Sequence, residues 1–165
     1  MTCIKHATPP SCARRPRRAA VLLAALAWCL APWAAEAQTG PQPRLPTVKL
    51  SAGFHVIDTE LALTPEQQAT GMMFRRQMGT NEGMLFVAPD KGIRCFWMRN
   101  TFIPLSIAFL DDDGRIVNIA DMQPQSDQTH CSTEPVRHAL EVNQGWFAKR
   151  GIKPGMKIAG PPFRR

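Results

Sequence analysis

From Thr47 onward the chain consists of short apolar runs separated by turn residues, and this spacing constrains the fold more than any other feature. Each run is too short for a typical helix, and turn signals recur about every 8 to 12 residues. We predict strands over 48–50, 54–63, 83–87, 93–98, 104–110, 115–121, 135–142 and 156–158. About eight short strands at hairpin spacing indicate a mainly β fold, either an antiparallel sandwich or an open barrel.

One segment carries helix signals. Thr64 is a typical N-cap, Pro65 suits the first helical position, and Gln67 can complete a capping box. Gly71 can end the helix, so the sequence predicts one short α-helix over 65–70, and 145–150 can add at most one helical turn.

Two turns follow from glycine and aspartate. Pro89 to Gly92 is predicted to turn, and Asp111-Asp112-Asp113-Gly114 is predicted to join two hairpin strands. A calcium-loop interpretation of the second turn fails, because Phe109 and Ala120 stand where the required acids would be.

An export signal precedes the β region. Four arginines (Arg14, Arg15, Arg17 and Arg18) stand before the apolar run 19–33, and Ala35-Glu36-Ala37 follows as a cleavage motif. The run is short for a membrane anchor. Two alternatives are less well matched: a lipoprotein signal at Cys29, which follows the bulky Trp28, and a twin-arginine signal at Arg14-Arg15.

This interpretation predicts a cleaved signal peptide over 1–37, a flexible lead-in over 38–46, a single mainly β domain over 47–160 and a tail over 161–165. Cleavage leaves 128 of the 165 residues. It lowers the formal net charge from +7 to +3, since Glu36 and five basic residues leave with the signal. We therefore expect a periplasmic or secreted domain with no nucleic-acid partner, no membrane span and no cofactor.

Two cysteines, Cys95 and Cys131, remain after cleavage. An oxidising compartment favours a disulfide between them. The alternative is a cysteine nucleophile with His130 as its base.

Several segments resemble the domain-of-unknown-function 192 (DUF192) family. They are 71–75 (GMMFR), 83–86 (GMLF), 96–105 (FWMRNTFIPL), 113–117 (DGRIV), 139–142 (ALEV) and 151–155. The resemblance spans about 48–158 and implies a small, mainly β, often exported domain without an assigned activity. Ser106 stands where many members have an aspartate, two residues after the proline.

The candidate ligand site begins at a predicted strand exit. Trp97, Arg99, Asn100 and Thr101 combine an aromatic plate with a cation and two hydrogen-bonding side chains, which suits a sugar or a small anionic ligand. The alternative is a core tryptophan beside polar residues that satisfy their own turn.

Glu141 is the carboxylate candidate, because it interrupts an apolar strand. By alternation it should face solvent; if buried, it should pair with Arg75 or Arg99, and an arginine–carboxylate pair across the site is expected. A hydrolase would need a second acid, such as Asp58 or Glu60.

Metal chemistry is not expected. Seven methionines would suit Cu(I), but Met73, Met84 and Met98 stand in apolar runs predicted to be core. The histidines His55, His130 and His138 lack zinc-motif spacing, and His55 and His138 are expected on the polar faces of half-buried strands.

The predicted function is a non-catalytic binding or accessory module of the cell envelope with a small-molecule or carbohydrate ligand. The alternatives are an envelope carbohydrate hydrolase using Glu141, and a periplasmic copper-handling protein. The sequence does not determine the oligomeric state.

We predict cleavage after Ala37, because the basic segment, apolar run and Ala-Glu-Ala occur in the required order. Mass spectrometry of the exported protein should give Gln38 as the first residue. An intact signal or a lipidated Cys29 would contradict this prediction.

Overall fold

The computed structural model describes residues 40–163, and this part of the chain forms nine strands and two short helices. In chain order they are β1 (Thr47–Ala52), β2 (His55–Ala62), α1 (Pro65–Thr70), β3 (Glu82–Gly92), β4 (Cys95–Phe96), β5 (Leu105–Leu110), β6 (Ile116–Met122), β7 (His130–Cys131), β8 (Val136–Asn143), α2 (Trp146–Lys149) and β9 (Ile158–Ala159). The predicted signal peptide lies outside the described residues. The prediction of a mainly β fold is confirmed.

Seven strands form one curled sheet in the order β6-β5-β8-β3-β2-β1-β9. Strands β2 and β3 are parallel, with α1 in the connection between them, and the other pairs are antiparallel. Strands β4 and β7 pair separately. Strand β8 lies in the interior of the sheet, between β3 and β5.

The segment before β9 draws the two edges of the sheet together. Arg115 at the start of β6 bridges Lys157, and β9 then pairs with β1. Gly114 makes this approach possible, because a Cβ there would lie 2.2 Å from the carbonyl oxygen of Ile158. The sheet is therefore an open barrel rather than a sandwich.

Both faces of the sheet are covered. One face, which we call the α2 face, packs Leu85, Leu140 and Val142 against Trp146 and Phe147. The opposite face, the α1 face, carries a second core that includes residues from the segments after α1 and β4. Its members are Ala62, Met72, Met84, Phe86, Met98, Ile103, Leu105, Ile107, Phe109, Met122, Val136 and Ala139. Alternate residues of the central strands thus enter two different cores.

The helix signals are confirmed in detail. The hydroxyl of Thr64 accepts from the backbone N–H of Gln67, and the side chain of Gln67 accepts from the backbone N–H of Thr64, which completes the capping box. The helix ends at Gly71 with φ 47°. The predicted turn at 145–150 is the short helix α2.

Three local predictions were wrong. Residues 89–92 continue β3, after a register shift in its pairing with β8, instead of turning. The strand predicted over 93–98 is reduced to Cys95–Phe96, and its partner β7 was not predicted.

The predicted hairpin turn at 111–114 is present, held by the backbone hydrogen bond from the Gly114 N–H to the Asp111 carbonyl.

The lead-in and the tail contact the domain. Gln42 donates to the carbonyls of Gln67 and Gly71, and the Leu45 N–H donates to Glu60. Phe163 is buried against His138. The lead-in thus adds hydrogen bonds at the end of α1 and at Glu60, and the tail adds apolar burial.

Cys95 and Cys131 form a disulfide that joins β4 to β7. The predicted bridge is confirmed, and the nucleophile alternative is not, because both sulfurs are bonded. Within residues 40–163, no helix has the length and hydrophobicity needed to cross a bilayer.

Replacing both cysteines by serine should lower the free energy of unfolding by about 3 to 4 kcal/mol, because the bridge closes a loop between residues 36 apart in sequence. Urea denaturation of the double variant and the oxidised wild type measures the difference. Two free thiols in the unfolded, unreduced wild type would contradict the bridge.

Candidate functional site

A cavity of about 320 Å³ lies on the α1 face of the sheet. Phe86 of β3 and Glu141 of β8 line it from the sheet, and α1 with the residues after it lines one side. The other lining residues come from the segment around β4 and from the loop that follows. The complete lining is Gln68, Ala69, Thr70, Gly71, Met73, Phe86, Ile93, Arg94, Cys95, Phe96, Trp97, Thr101 and Glu141.

Gly71 shapes the cavity beside Phe86. A Cβ at Gly71 would lie 3.1 Å from the ring of Phe86, and its φ of 47° disfavours any residue with a side chain. Phe96 meets Phe86 edge to face at 5.0 Å between ring centroids. The end of α1 and the strand β4 therefore both contact the same aromatic side chain.

Glu141 is the central polar feature of the cavity. It lies on the interior strand β8, in register with Met84 on one side and Ile107 on the other, and both neighbours are fully buried. The residue itself is only 4% exposed. Among the described residues, no hydrogen bond or ion pair engages its carboxyl. Since both faces of β8 are covered, the expectation that Glu141 faces solvent was wrong.

Burial without a partner raises the pKa of Glu141 to about 8. The charged form loses its hydration, and no nearby cation compensates for that loss. The carboxyl is therefore largely protonated at neutral pH, and it can donate one hydrogen bond as well as accept.

Thr101 is the second buried polar residue of the lining that belongs to the predicted site. It is 4% exposed, and its backbone N–H and carbonyl are engaged by Met98 and Gln125. No hydrogen bond of its side-chain hydroxyl occurs within the described residues. The cavity thus contains a carboxyl and a hydroxyl whose hydrogen-bonding capacity is unused.

Trp97 lines the mouth of the cavity and is 42% exposed, so it is not a core residue. Arg99 does not line the cavity. Its guanidinium lies 5.1 Å from the centre of the Trp97 ring, and its Nε donates to Asp127 at 2.8 Å. Asn100 also lies outside the lining, in a turn where its φ is 59° and its carbonyl accepts from Phe74.

Arg75 does not pair with Glu141. Its guanidinium binds both carboxylate oxygens of Glu60, at 2.6 and 2.8 Å, and Glu60 also accepts from the Leu45 N–H. These bonds lower the pKa of Glu60, although desolvation alone would raise it. The counter-ions expected for Glu141 are therefore committed to other acids: Arg75 to Glu60, and Arg99 to Asp127.

The structure brings together three of the six predicted ligand-site residues, Trp97, Thr101 and Glu141. It adds lining residues that the sequence analysis did not select, among them Met73, Phe86, Ile93, Arg94 and Phe96. Most of these are apolar, and in the sequence they are indistinguishable from core residues. Arg94 alone carried a charge that could have drawn attention, since it stands next to Cys95.

The metal interpretations receive no support from the described residues. Met84 and Met98 are buried in the core of the α1 face, as predicted, and Met72 and Met122 are buried there too. Met73, also expected in the core, is half-buried and lines the cavity. No group of three or more histidine, cysteine or acidic side chains is placed to hold a metal within residues 40–163. His138 is buried rather than half-buried, and desolvation lowers its pKa.

Ser106, at the position where the family resemblance implies an aspartate, is engaged by its neighbours. Its hydroxyl donates to Asp121 on the neighbouring strand β6 and accepts from the Gly145 N–H at 2.8 Å. The carboxylate at this place is therefore that of Asp121. The pair lies beside α2, away from the cavity that Glu141 lines.

The chain belongs to the DUF192 family, whose description is "Uncharacterized ACR"; the family model matches residues 47–160. No curated protein matches the chain.

Two crystal structures are similar. One is a protein of unknown function from Novosphingobium aromaticivorans DSM 12444, with 39% identity, a TM-score of 0.68, and coverage of 76% of this chain and 94% of that one. The other is described as a "putative transcription regulator" from Sinorhizobium meliloti 1021, with 34% identity, a TM-score of 0.65, and coverage of 75% and 98%.

The wild type should lose stability relative to Glu141→Gln as the pH rises from 4.5 to 8. The folded pKa of about 8 exceeds the ordinary value of 4.5, so the unfolded chain releases its proton first and is favoured over this window. The loss is on the order of 4 kcal/mol by linkage. Urea denaturation of both proteins at several pH values measures it. Parallel pH profiles would show that Glu141 titrates normally.

Proposed function

We propose that this protein is an exported, non-catalytic binding module of the cell envelope, and that the cavity on the α1 face holds a small, largely apolar molecule. One observation carries the proposal. The cavity contains two buried polar side chains, Thr101 and Glu141, whose polar groups no described residue engages, beside apolar walls that include Phe86, Phe96 and Trp97. Ligand sites typically have this composition.

The apolar residues of the cavity lining indicate that part of the ligand is apolar. Met73, Phe86, Ile93, Phe96 and Trp97 present thioether, aromatic and aliphatic surface. A sugar carries a hydroxyl on nearly every carbon and would leave several of them unpaired against such walls. A small molecule with one polar end is therefore favoured over a carbohydrate.

The polar residues support a single point of recognition. A buried carboxyl and a buried hydroxyl without partners are costly in a folded protein unless a ligand or water satisfies them. Because Glu141 and Thr101 line the same cavity, the polar groups of both are available to a ligand bound there.

The hydrolase alternative is not favoured. Glycoside hydrolysis needs two carboxyl groups that face the same space. Among the described residues, Glu141 is the one acid of the lining. Glu60 lies on the same face, but β3 separates it from β8, and Arg75 holds it in a bidentate ion pair. Asp58 is exposed and paired with Lys49.

A role in transcription, which the description of the S. meliloti protein suggests, is also not favoured. The helices of the described residues are six and four residues long, shorter than the recognition helices that enter a DNA groove. The net charge of +3 after signal removal is modest for a nucleic-acid-binding surface. The export signal in 14–37 supports the envelope assignment.

Replacing Trp97 by alanine should weaken binding of a small probe, cyclohexanol, at least tenfold, because the cavity loses a wall. Stability should change by no more than about 1 kcal/mol, whereas loss of a sealed core aromatic costs about 3 to 5 kcal/mol. Nuclear magnetic resonance titration gives the affinity and shows whether the perturbed amides lie around the cavity.

The matched control is Phe54→Ala. Phe54 is fully exposed in the turn between β1 and β2 and does not line the cavity. The control should bind cyclohexanol like the wild type. If cyclohexanol perturbs no cavity amide in the wild type, the proposed function is wrong.

A further inference from the structure

We propose that the ligand of this cavity is a small organic cation, an ammonium group on an apolar body, whose charge is neutralised by the Glu141 carboxylate. The inference rests on the proposed function and specifies the chemistry of its ligand. The carboxyl of Glu141 lies on an interior strand of the sheet, between Met84 and Ile107, and no described cation pairs with it.

The protein's own cations are engaged elsewhere. Arg94 lines the cavity, but its guanidinium binds the Asp90 carboxylate at 2.9 Å and the Val136 carbonyl at 3.4 Å. Arg75 is held by Glu60. When Glu141 ionises, neither Arg75 nor Arg94 is free to neutralise it, so a cationic ligand can supply the counter-charge.

The walls around the carboxyl suit a cation with an apolar body. Phe86, Phe96 and Trp97 all line the cavity, and the face of an aromatic ring attracts a positive charge. A charge pair formed at a buried carboxyl is stronger than one in water. An anionic ligand would instead meet a carboxyl that binding would have to keep protonated.

Binding would release a proton. The neutral carboxyl of Glu141 loses its proton to solvent, and the carboxylate that remains pairs with the ammonium, so the charge of the site stays balanced. The free carboxyl titrates near pH 8, because burial raises its pKa. An alkylammonium keeps its own proton to about pH 10. The affinity for the cation should therefore rise with pH and level off above about pH 8.

The surroundings contain few other groups that titrate in this range. The flanking residues Met84 and Ile107 and the lining residues of α1 do not ionise, and Cys95 is in the disulfide. Arg94 keeps its charge throughout. Glu60 is beyond Met84 and is held ionised by Arg75. His138 changes charge near this range but points to the opposite face of β8, against Phe163.

Three probes of one shape test the proposal on the purified full chain: cyclohexylammonium, cyclohexanol and cyclohexanecarboxylate. Between pH 5.5 and 7.5, the affinity for cyclohexylammonium should rise roughly tenfold for each pH unit, as expected for release of one proton. Cyclohexanol should bind more weakly and without pH dependence, and cyclohexanecarboxylate should not bind at pH 7. Calorimetry at pH 6 in two buffers of different ionisation enthalpy should show release of nearly one proton per ammonium bound.

The variant Glu141→Gln should lose at least tenfold in affinity for cyclohexylammonium at pH 7.5 and keep its affinity for cyclohexanol within threefold. Glu134→Gln, which removes an exposed acid outside the lining, should leave both affinities unchanged. If the affinity for cyclohexanol at pH 7.5 equals or exceeds that for cyclohexylammonium, the proposal of a cationic ligand is wrong, but the proposed function is not contradicted. An ammonium affinity that does not depend on pH or on Glu141 would also overturn the proposal of a cationic ligand. If none of the three probes perturbs the cavity, both proposals are wrong.

Discussion

The structure depends on the coverage of strand β8 from every side. Its backbone pairs with β3 and β5, and its side chains enter a core on each face. In this position the side chains from His138 to Val142 are all placed in the interior. For Leu140 and Val142 this is ordinary burial. For Glu141 the same constraint buries an acid that no described residue neutralises, and the site follows from it.

The sequence predicts the framework well because the framework rests on local chemistry. The capping box around α1 is formed by residues within one turn of each other, and the turn at 111–114 by residues within one hairpin. Such features need no knowledge of distant neighbours. The errors at 89–98 have the opposite origin, since the length of β3 and the short β4–β7 pair depend on partners about 40 residues away.

The site was predicted less completely, for a related reason. A polar residue in an apolar strand indicates one solvent-facing side only if the sheet has an uncovered face. Here the segment that follows α1 and the segment around β4 cover the α1 face. No local sequence pattern predicts that these segments pack there. The predicted pairing of Glu141 with an arginine was wrong for a similar reason. Arg75 binds Glu60 instead, and the sequence gives no reason to prefer Glu60 over Glu141 as its partner. Trp97 and Thr101 were found because their chemistry is distinctive in any surroundings.

The Cys95–Cys131 bond belongs to two parts of the molecule at once. It joins β4 to β7, and Cys95 is also part of the cavity lining beside Phe96. A ligand in the cavity therefore lies against a wall that the disulfide fixes covalently. The free energy of ligand binding and the free energy of reducing the disulfide are linked for this reason. By thermodynamic reciprocity, an occupant that prefers the bridged wall makes the bridge harder to reduce, to the same degree that the bridge strengthens its binding. Ligand affinity should therefore depend on whether the Cys95–Cys131 bond is formed, and the ease of reducing this bond should depend on whether the cavity is occupied.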